Sequence, residues 1–205
     1  MTFDEVIAQS LAPETLQSAF NAYQQAQNGN SIAAQDLLPM RAMAPLLPHV
    51  TLMERIDENS IVYRIAGEAI VARLGFNPTG HNFLDLIAPS VRQETALTNK
   101  AGLEERCGHY AVYENEYESG RRMMSESLML PMSKTSGSTV NLIFGYHIHH
   151  QRTDSYGLGA RTSLGVRWVV ADFVDIGFGV PRATSEAEQS QGRRQPDHLE
   201  IQLED

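Results

Sequence analysis

The chain has 205 residues, of which 42% are hydrophobic and 20% are charged, and its formal net charge is −9. This length and composition suffice for a stable core without metal or disulfide support. The negative charge and the scattered basic residues argue against nucleic acid and acidic membrane surfaces as partners. Because Cys107 is the only cysteine, an intramolecular disulfide and a thiolate-rich metal site are excluded.

The N-terminus, MTFDEVIAQS, has neither the basic start nor the continuous apolar run of a signal peptide. No segment reaches the roughly 18 to 20 apolar residues that a membrane-spanning helix needs. The sequence therefore predicts a cytoplasmic protein.

The first predicted element is a helix over residues 3–27. Pro13 suits the first turn of a helix, and Leu16, Phe20 and Tyr23 recur at spacings of three and four residues, which places them on one face. This stripe packs either against the chain's own sheet or against the same helix of a second subunit. We therefore name Leu16, Phe20 and Tyr23 as a candidate homodimer interface.

The next elements are a hairpin and a block of helices. Two β-rich runs, TLMERID (51–57) and SIVYRIAG (60–67), flank a short polar turn, which predicts a β-hairpin. Helices are expected over residues 68–74, 83–87 and 90–106. Some of these segments have apolar residues at helical spacing, and others have capping or helix-breaking residues at their ends.

Three runs with period two follow this helical block: HYAVYENEY (109–117), MMSESLMLPM (123–132) and STVNLIFGYHIHH (138–150). Such alternation predicts β-strands that each bury one face. Strands grouped before and after a block of helices indicate an α+β domain with an antiparallel sheet, because parallel crossovers would alternate strands and helices one by one.

Several of these segments together resemble a PAS domain, over about residues 35–150. More narrowly, LLPMRAMAPLLPHVTLMERI followed by YRIAGEAIVARLGFNPTGHNFLDL is similar to a family of small stand-alone PAS proteins from alphaproteobacteria. The resemblance implies a five-stranded antiparallel sheet with short helices cupping one face, preceded here by an N-terminal helix. It also implies a role in sensing or in protein–protein contact.

The last of these strands has two distinct faces. Strand geometry sends Leu142, Phe144 and Tyr146 to one side and His147 and His149 to the other. We expect the apolar side to face the core and the histidines to be exposed or covered by the N-terminal helix. Two alternatives stay open, a metal site at His147 and His149 and a pH-sensitive contact, because imidazole binds metals and titrates near neutrality.

The apolar side of the last strand also offers a candidate pocket. Phe83 and Leu86 of the helical block are expected to meet Leu142, Phe144 and Tyr146. These residues form either a filled core or a cavity for a small apolar ligand.

No cofactor and no enzymatic activity are predicted. The cysteine signature of flavin photosensors has no counterpart, and the positional candidates for a haem ligand are only His81 and His109. The nucleophile elbow, the phosphate-binding loop and the H-E-x-x-H zinc motif are all missing from the sequence.

The chain is accordingly divided into an N-terminal helix (1–34), a PAS-like domain (35–150), a partly docked extension (151–182) and a disordered tail (183–205). The tail carries almost no apolar residues with which to offset its ordering entropy.

These observations predict a stand-alone cytoplasmic sensor or adaptor without its own output domain. It would bind a small ligand, a protein signalling partner or both, as a homodimer. The alternative function is a small metal-binding protein or enzyme that uses His147 and His149.

Overall fold

The computed structural model describes residues 1–27, 29, 32–117, 120, 122–150 and 162–181. They form one six-stranded antiparallel sheet with the strand order β2-β1-β5-β4-β3-β6. The strands are β1 (Val50–Asp57), β2 (Ser60–Ala66), β3 (Gly108–Tyr117), β4 (Arg122–Ser133), β5 (Val140–His149) and β6 (Thr162–Val174). The α-helices are α1 (Phe3–Gln9), α2 (Pro13–Gln25), α3 (Met40–Met43), α4 (Glu68–Leu74) and α5 (Arg92–Glu104). Short 3-10 helices span Gln35–Leu37, Leu47–His49 and Phe83–Leu86.

The single helix predicted over residues 3–27 is in fact two helices. Helix α1 is capped by Thr2, whose side chain accepts from the Glu5 amide while the Glu5 carboxylate accepts from the Thr2 amide. Helix α2 begins at Pro13, and Ala12 before it has a non-helical backbone. The proline ring disfavours helical geometry in the preceding residue, which explains the break.

The predicted α+β class, the antiparallel sheet and the β1–β2 hairpin are confirmed, but the sheet has six strands rather than five. The additional strand, β6, pairs with β3 along the edge of the sheet. Gly165 interrupts its alternation with φ +69°, close to a register shift between β3 and β6. This irregularity hid the strand from a period-two reading.

Part of the predicted extension over residues 151–182 therefore belongs to the sheet. Residues 151–161 and the predicted disordered tail over 183–205 lie outside the described residues. Within the described part of the chain, no helix is long and apolar enough to cross a membrane.

Both faces of the sheet are covered by helices. We call the side packed by α1, α2 and α3 the N-terminal face, and the side packed by α4, the 83–86 helix and α5 the α4–α5 face. Each side has its own apolar core. The N-terminal face buries Phe20, Tyr23, Tyr110, Leu128 and Phe144 among others, and the α4–α5 face buries Met53, Tyr63, Ile70, Leu74, Phe83 and Ile143 among others.

Candidate functional site

The α4–α5 face carries a buried polar region at its centre. Odd-numbered residues of β5 point toward this face, so His147 and His149 lie beside Ser127 and Ser125 of the neighbouring strand. His147 is only 4% exposed, and the Ser125 and Ser127 side chains are also buried. Because buried polar groups need partners, this region requires an explanation beyond core packing.

Helix α4 contributes an arginine to this region. Ile70, Arg73 and Leu74 follow one another at helical spacing and are all buried, with Arg73 only 4% exposed. The Arg73 guanidinium lies near the Tyr117 hydroxyl, and its positive charge lowers the pKa that burial raises there. The Nε and Nη1 atoms of Arg73 are shielded from solvent and have no hydrogen-bond partner. A guanidinium with free donors inside the protein is costly unless an acceptor reaches it.

The two histidines are held by hydroxyl groups. His147 Nε2 lies 2.8 Å from Thr51 Oγ1, and His149 Nδ1 lies 2.9 Å from Ser125 Oγ. The close approach at His147 depends on Gly145, because a Cβ atom there would lie 2.7 Å from His147 Nε2. The second ring nitrogens, His147 Nδ1 and His149 Nε2, are buried without a partner.

Hydrogen bonds extend from His149 across four strands. Asn115 Nδ2 on β3 donates to Ser125 Oγ at 2.7 Å, and the Gly165 amide on β6 donates to Asn115 Oδ1 at 3.1 Å. Ser125 Oγ thus accepts from Asn115 and contacts His149 Nδ1, while His149 Nε2 has no partner.

Burial keeps both imidazoles uncharged. Removal from water lowers the pKa of His147 to about 3, with the positive charge of Arg73 and neighbouring His49 adding to the effect. The same causes, burial first and Arg73 second, hold the pKa of His149 well below its ordinary value. Arg73 is therefore the charged member of the group, since guanidinium stays protonated.

Tyrosines complete the surroundings of Arg73. Burial raises the pKa of Tyr63, Tyr113 and Tyr117, while the Arg73 charge opposes the shift in each case. Their hydroxyls thus remain protonated and can donate hydrogen bonds. We refer to Arg73, Tyr113, Tyr117, His147 and His149 as the Arg73 cluster.

A pocket lies beside this cluster, between α5 and the β3–β6 edge of the sheet. Tyr113 belongs to both the cluster and the pocket wall. The cavity volume is about 40 Å³, enough for ordered water but below the few hundred Å³ of a typical ligand site. Its apolar wall includes Phe83, Ile87, Ala111, Met129, Leu164 and Trp168.

The pocket lining includes two polar ring systems, the uncharged imidazole of His109 and the unpartnered indole N–H of Trp168. His109 lies with its ring centroid 6.2 Å from that of Trp168, and burial lowers its pKa to about 4. Trp168 Nε1 is buried without a hydrogen-bond partner. The pocket is therefore mainly apolar, and its polar lining also includes Glu94 and Asn99 of α5.

The predicted pocket residues do not form one site. Phe83 and Leu86 lie with the α4–α5 face, whereas Leu142, Phe144 and Tyr146 are buried on the N-terminal face. The directions along β5 are as predicted, but the helical block covers the other side of the sheet. This grouping is therefore wrong: Phe83 lines the observed pocket, and the three β5 residues pack against α1 to α3.

The histidine environment also differs from the prediction. His147 and His149 do lie opposite Leu142, Phe144 and Tyr146, but they are on the α4–α5 face rather than exposed or under the N-terminal helix. Among the described residues, no group of three or more His, Cys, Asp or Glu side chains could hold a metal ion.

The candidate dimer residues belong to the chain's own core. Leu16 and Tyr23 are fully buried and Phe20 nearly so, and the Tyr23 hydroxyl donates to the Pro131 carbonyl at 2.6 Å. A dimer of this chain would need other surfaces, because these three side chains already pack against their own sheet.

The sequence reading missed Arg73. A signal was available, since Arg73 occupies the apolar stripe of the segment EAIVARL, three residues after Ile70. Thr51, Asn115, Ser125 and Ser127 likewise share the strand face of the histidines, but their meeting depends on strand order, which alternation alone does not specify.

The neutral histidines predict a pH dependence of stability. The unfolded chain protonates each histidine below about pH 6.5, while folded His147 stays neutral down to about pH 3. The unfolded state then binds more protons, so the free energy of unfolding should fall with decreasing pH by about 1.4 kcal/mol per pH unit for each such histidine.

Urea denaturation between pH 7 and 4.5 tests this dependence. We expect a double variant, His147→Gln with His149→Gln, to show a shallower loss of stability than the wild-type protein over that range. His81→Gln is the matched control, because His81 is exposed. Equal slopes in the double variant and the wild-type protein would contradict the assignment of neutral buried imidazoles.

A family model described as PAS domain matches residues 11–147, from just before α2 to β5. The Rhodobacter sphaeroides LOV protein has a similar structure, with 10% identity, 69% of each chain covered and a TM-score of 0.40. Vibrio cholerae VqmA, a dimer solved without its target DNA, is 16% identical, with 56% of this chain and 51% of that chain covered and a TM-score of 0.42. Among curated proteins, none matches this chain.

Proposed function

The chain belongs to the PAS domain family, and on that basis we propose that it is a cytoplasmic sensory module that binds a small ligand against the α4–α5 face and signals to a protein partner. The observation that carries this proposal is the Arg73 cluster. Buried nitrogen atoms of Arg73 and of both histidines have no partner, and the cluster lies beside a pocket that shares Tyr113 with it. A bound molecule would satisfy these atoms.

The proposal is supported by the chemical contrast between the two faces. The N-terminal face is predominantly an apolar core, in which the buried Glu126 carboxylate accepts two hydrogen bonds and His150 Nε2 beside it is unpartnered. The α4–α5 face instead leaves several buried polar atoms unpaired next to an aromatic pocket. Proteins place such convergent polar groups in ligand sites more readily than in structural cores.

The direct test is the identification of bound small molecules. The protein is purified from its natural host, denatured, and the released molecules are identified by mass spectrometry. Thr98→Phe should fill the pocket, because Thr98 is a half-buried residue of α5 that lines it. Leu97→Phe is the matched control, since Leu97 is the preceding residue of the same helix and is 58% exposed.

We expect the wild-type protein and Leu97→Phe to retain the same molecule in near-stoichiometric amount, and Thr98→Phe to retain at least about tenfold less. A molecule retained equally by all three proteins would place its site elsewhere and contradict the proposal. Two negative results together would also contradict the proposal. The purified protein would retain no molecule, and host metabolite fractions would cause no saturable change in the fluorescence of Trp168, the single tryptophan.

A second candidate function is that of an adaptor that binds only proteins. The small cavity volume of about 40 Å³ favours this alternative, because it is close to that of a filled core. Co-purification of a protein partner without any small molecule would support it. We also propose a homodimer, with an interface that does not include Leu16, Phe20 or Tyr23; light scattering measures this state.

A further inference from the structure

We propose that the Arg73 cluster binds the carboxylate of a small organic monoanion whose apolar part occupies the adjoining pocket. This inference rests on the proposed function and adds the chemical class of the ligand. It follows from the charge, the hydrogen-bonding groups and the shape of the α4–α5 face.

The charge of the cluster is uncompensated among the described residues. The charged or titratable groups that act on His147 and His149 are Arg73 and other histidines, with no carboxylate among them. Arg73 itself is 4% exposed, and its Nε and Nη1 atoms are shielded from water. A buried unpaired cation costs several kcal/mol, and a bound anion would remove most of that cost.

The hydrogen-bonding groups of the cluster are mainly donors. Arg73 Nε carries one N–H and Nη1 carries two, and all three are free. His149 Nε2 is a further buried nitrogen without a partner. A carboxylate is an acceptor with two oxygens, so it complements a donor-rich site better than an amide or an alcohol does.

The single charge favours a monoanion over a phosphate dianion. Because His147 and His149 are neutral, Arg73 offers one positive charge. A dianion would leave one negative charge buried without compensation, which is again costly.

The lining of the pocket indicates the chemistry of the rest of the ligand. This lining includes Tyr113, which belongs to the cluster, and the apolar side chains of Phe83, Met129 and Trp168, with the Glu94 carboxyl of α5 as its acidic group. The apolar side chains suit a short aliphatic or aromatic group. The volume of about 40 Å³ restricts the ligand to a small molecule and requires the pocket to widen when it binds.

The test titrates the full chain with monocarboxylates from acetate to phenylacetate, each compared with its primary amide, and with phenyl phosphate. Fluorescence of Trp168 reports occupancy of the pocket, because this single tryptophan lines it. We expect at least one carboxylate to bind about 10- to 100-fold more tightly than its amide and than phenyl phosphate, as loss of a charged hydrogen bond predicts.

Arg73→Gln should reduce carboxylate affinity to that of the amide, whereas Arg64→Gln should leave it unchanged, because Arg64 is an exposed β2 residue paired with Glu54. The acid–amide comparison on the wild-type protein keeps the test decisive even if Arg73→Gln fails to fold.

The possible results separate this inference from the proposed function. Equal binding of an acid and its amide, or retention of acid binding in Arg73→Gln, would overturn the carboxylate assignment while leaving a ligand-binding module in place. Tighter binding of phenyl phosphate would likewise overturn the monoanion assignment alone. If no acid binds, the carboxylate inference falls. If the purified protein also retains no molecule of any kind, the proposed function falls with it.

Discussion

Replacing Glu126 by alanine is expected to lower the free energy of unfolding by about 3–5 kcal/mol, because the Tyr110 hydroxyl and the Leu11 amide each lose a charged acceptor worth about 1.5–3 kcal/mol. The Glu126 side chain on β4 is completely buried. Its Oε1 accepts from the Tyr110 hydroxyl at 2.9 Å, and its Oε2 accepts from the Leu11 amide at 3.2 Å. His150 Nε2 lies 3.4 Å from Oε2. Alanine would leave the buried Tyr110 hydroxyl and the part-buried Leu11 amide without their acceptor.

The loss of Glu126 should also weaken the attachment of the N-terminal helices to the sheet. Leu11 lies in the break between α1 and α2, so Glu126 joins that break directly to the sheet. Burial would raise the pKa of the Glu126 carboxyl, but the nearby His150 and Ser10 side chains and the hydrogen bonds from Tyr110 and Leu11 outweigh this effect and leave the pKa below its ordinary value. The carboxylate therefore stabilises the fold above the carboxyl pKa of the unfolded chain, about 4.3, and this contribution is lost as the pH falls further.

Chemical denaturation of Glu126→Ala, Glu126→Gln and Glu116→Ala measures the effect. Glutamine keeps one acceptor oxygen and should cost less than alanine. Glu116 is the control, because its ion pair with Arg122 lies at the surface and should contribute at most about 1 kcal/mol. A loss in Glu126→Ala no larger than in Glu116→Ala would show that the network does not hold the N-terminal helices in place.

Replacing Arg73 by methionine is expected to have the opposite sign and to stabilise the ligand-free protein by about 1–4 kcal/mol. Methionine has a similar length, removes the buried charge with its free donors, and packs against Ile70 and Leu74 of the same helix face. The unfolding temperature should rise by about 2–4 °C for each kcal/mol in a chain of this size.

Calorimetry of protein refolded without ligand measures this change. Arg64→Met is the control, since it removes an arginine whose side chain is 44% exposed and should change stability by at most about 1 kcal/mol. Destabilisation of Arg73→Met by several kcal/mol would mean that Arg73 is a structural residue whose partners hold the fold. Stabilisation accompanied by loss of ligand binding would identify Arg73 as a residue kept for function at the expense of stability.

The local elements were predictable because their physical causes are local. Alternation along HYAVYENEY and along the last strand of the PAS domain predicted β3 and β5, and the polar turn before Ser60 predicted the first hairpin. Alternation also separated His147 and His149 from Phe144 correctly. Two errors were local as well: Pro13 divides the first helix, and Gly165 conceals β6.

The candidate site was only partly predictable. The sequence indicated that His147 and His149 share a face, yet it did not indicate that Arg73 of α4, Asn115 of β3 and Ser125 of β4 meet them there. Those contacts join residues far apart in the chain, and they depend on the order β5-β4-β3 within the sheet.

By itself, then, the sequence determined the α+β class, the PAS resemblance and the division of each strand into two sets of side chains. Only the tertiary structure decided which layer covers each set: α1 to α3 cover Phe144, and α4 and α5 cover the face of His147. The physical reason is that strand periodicity is a property of neighbouring residues, whereas the layer that covers a sheet face depends on the path of distant segments.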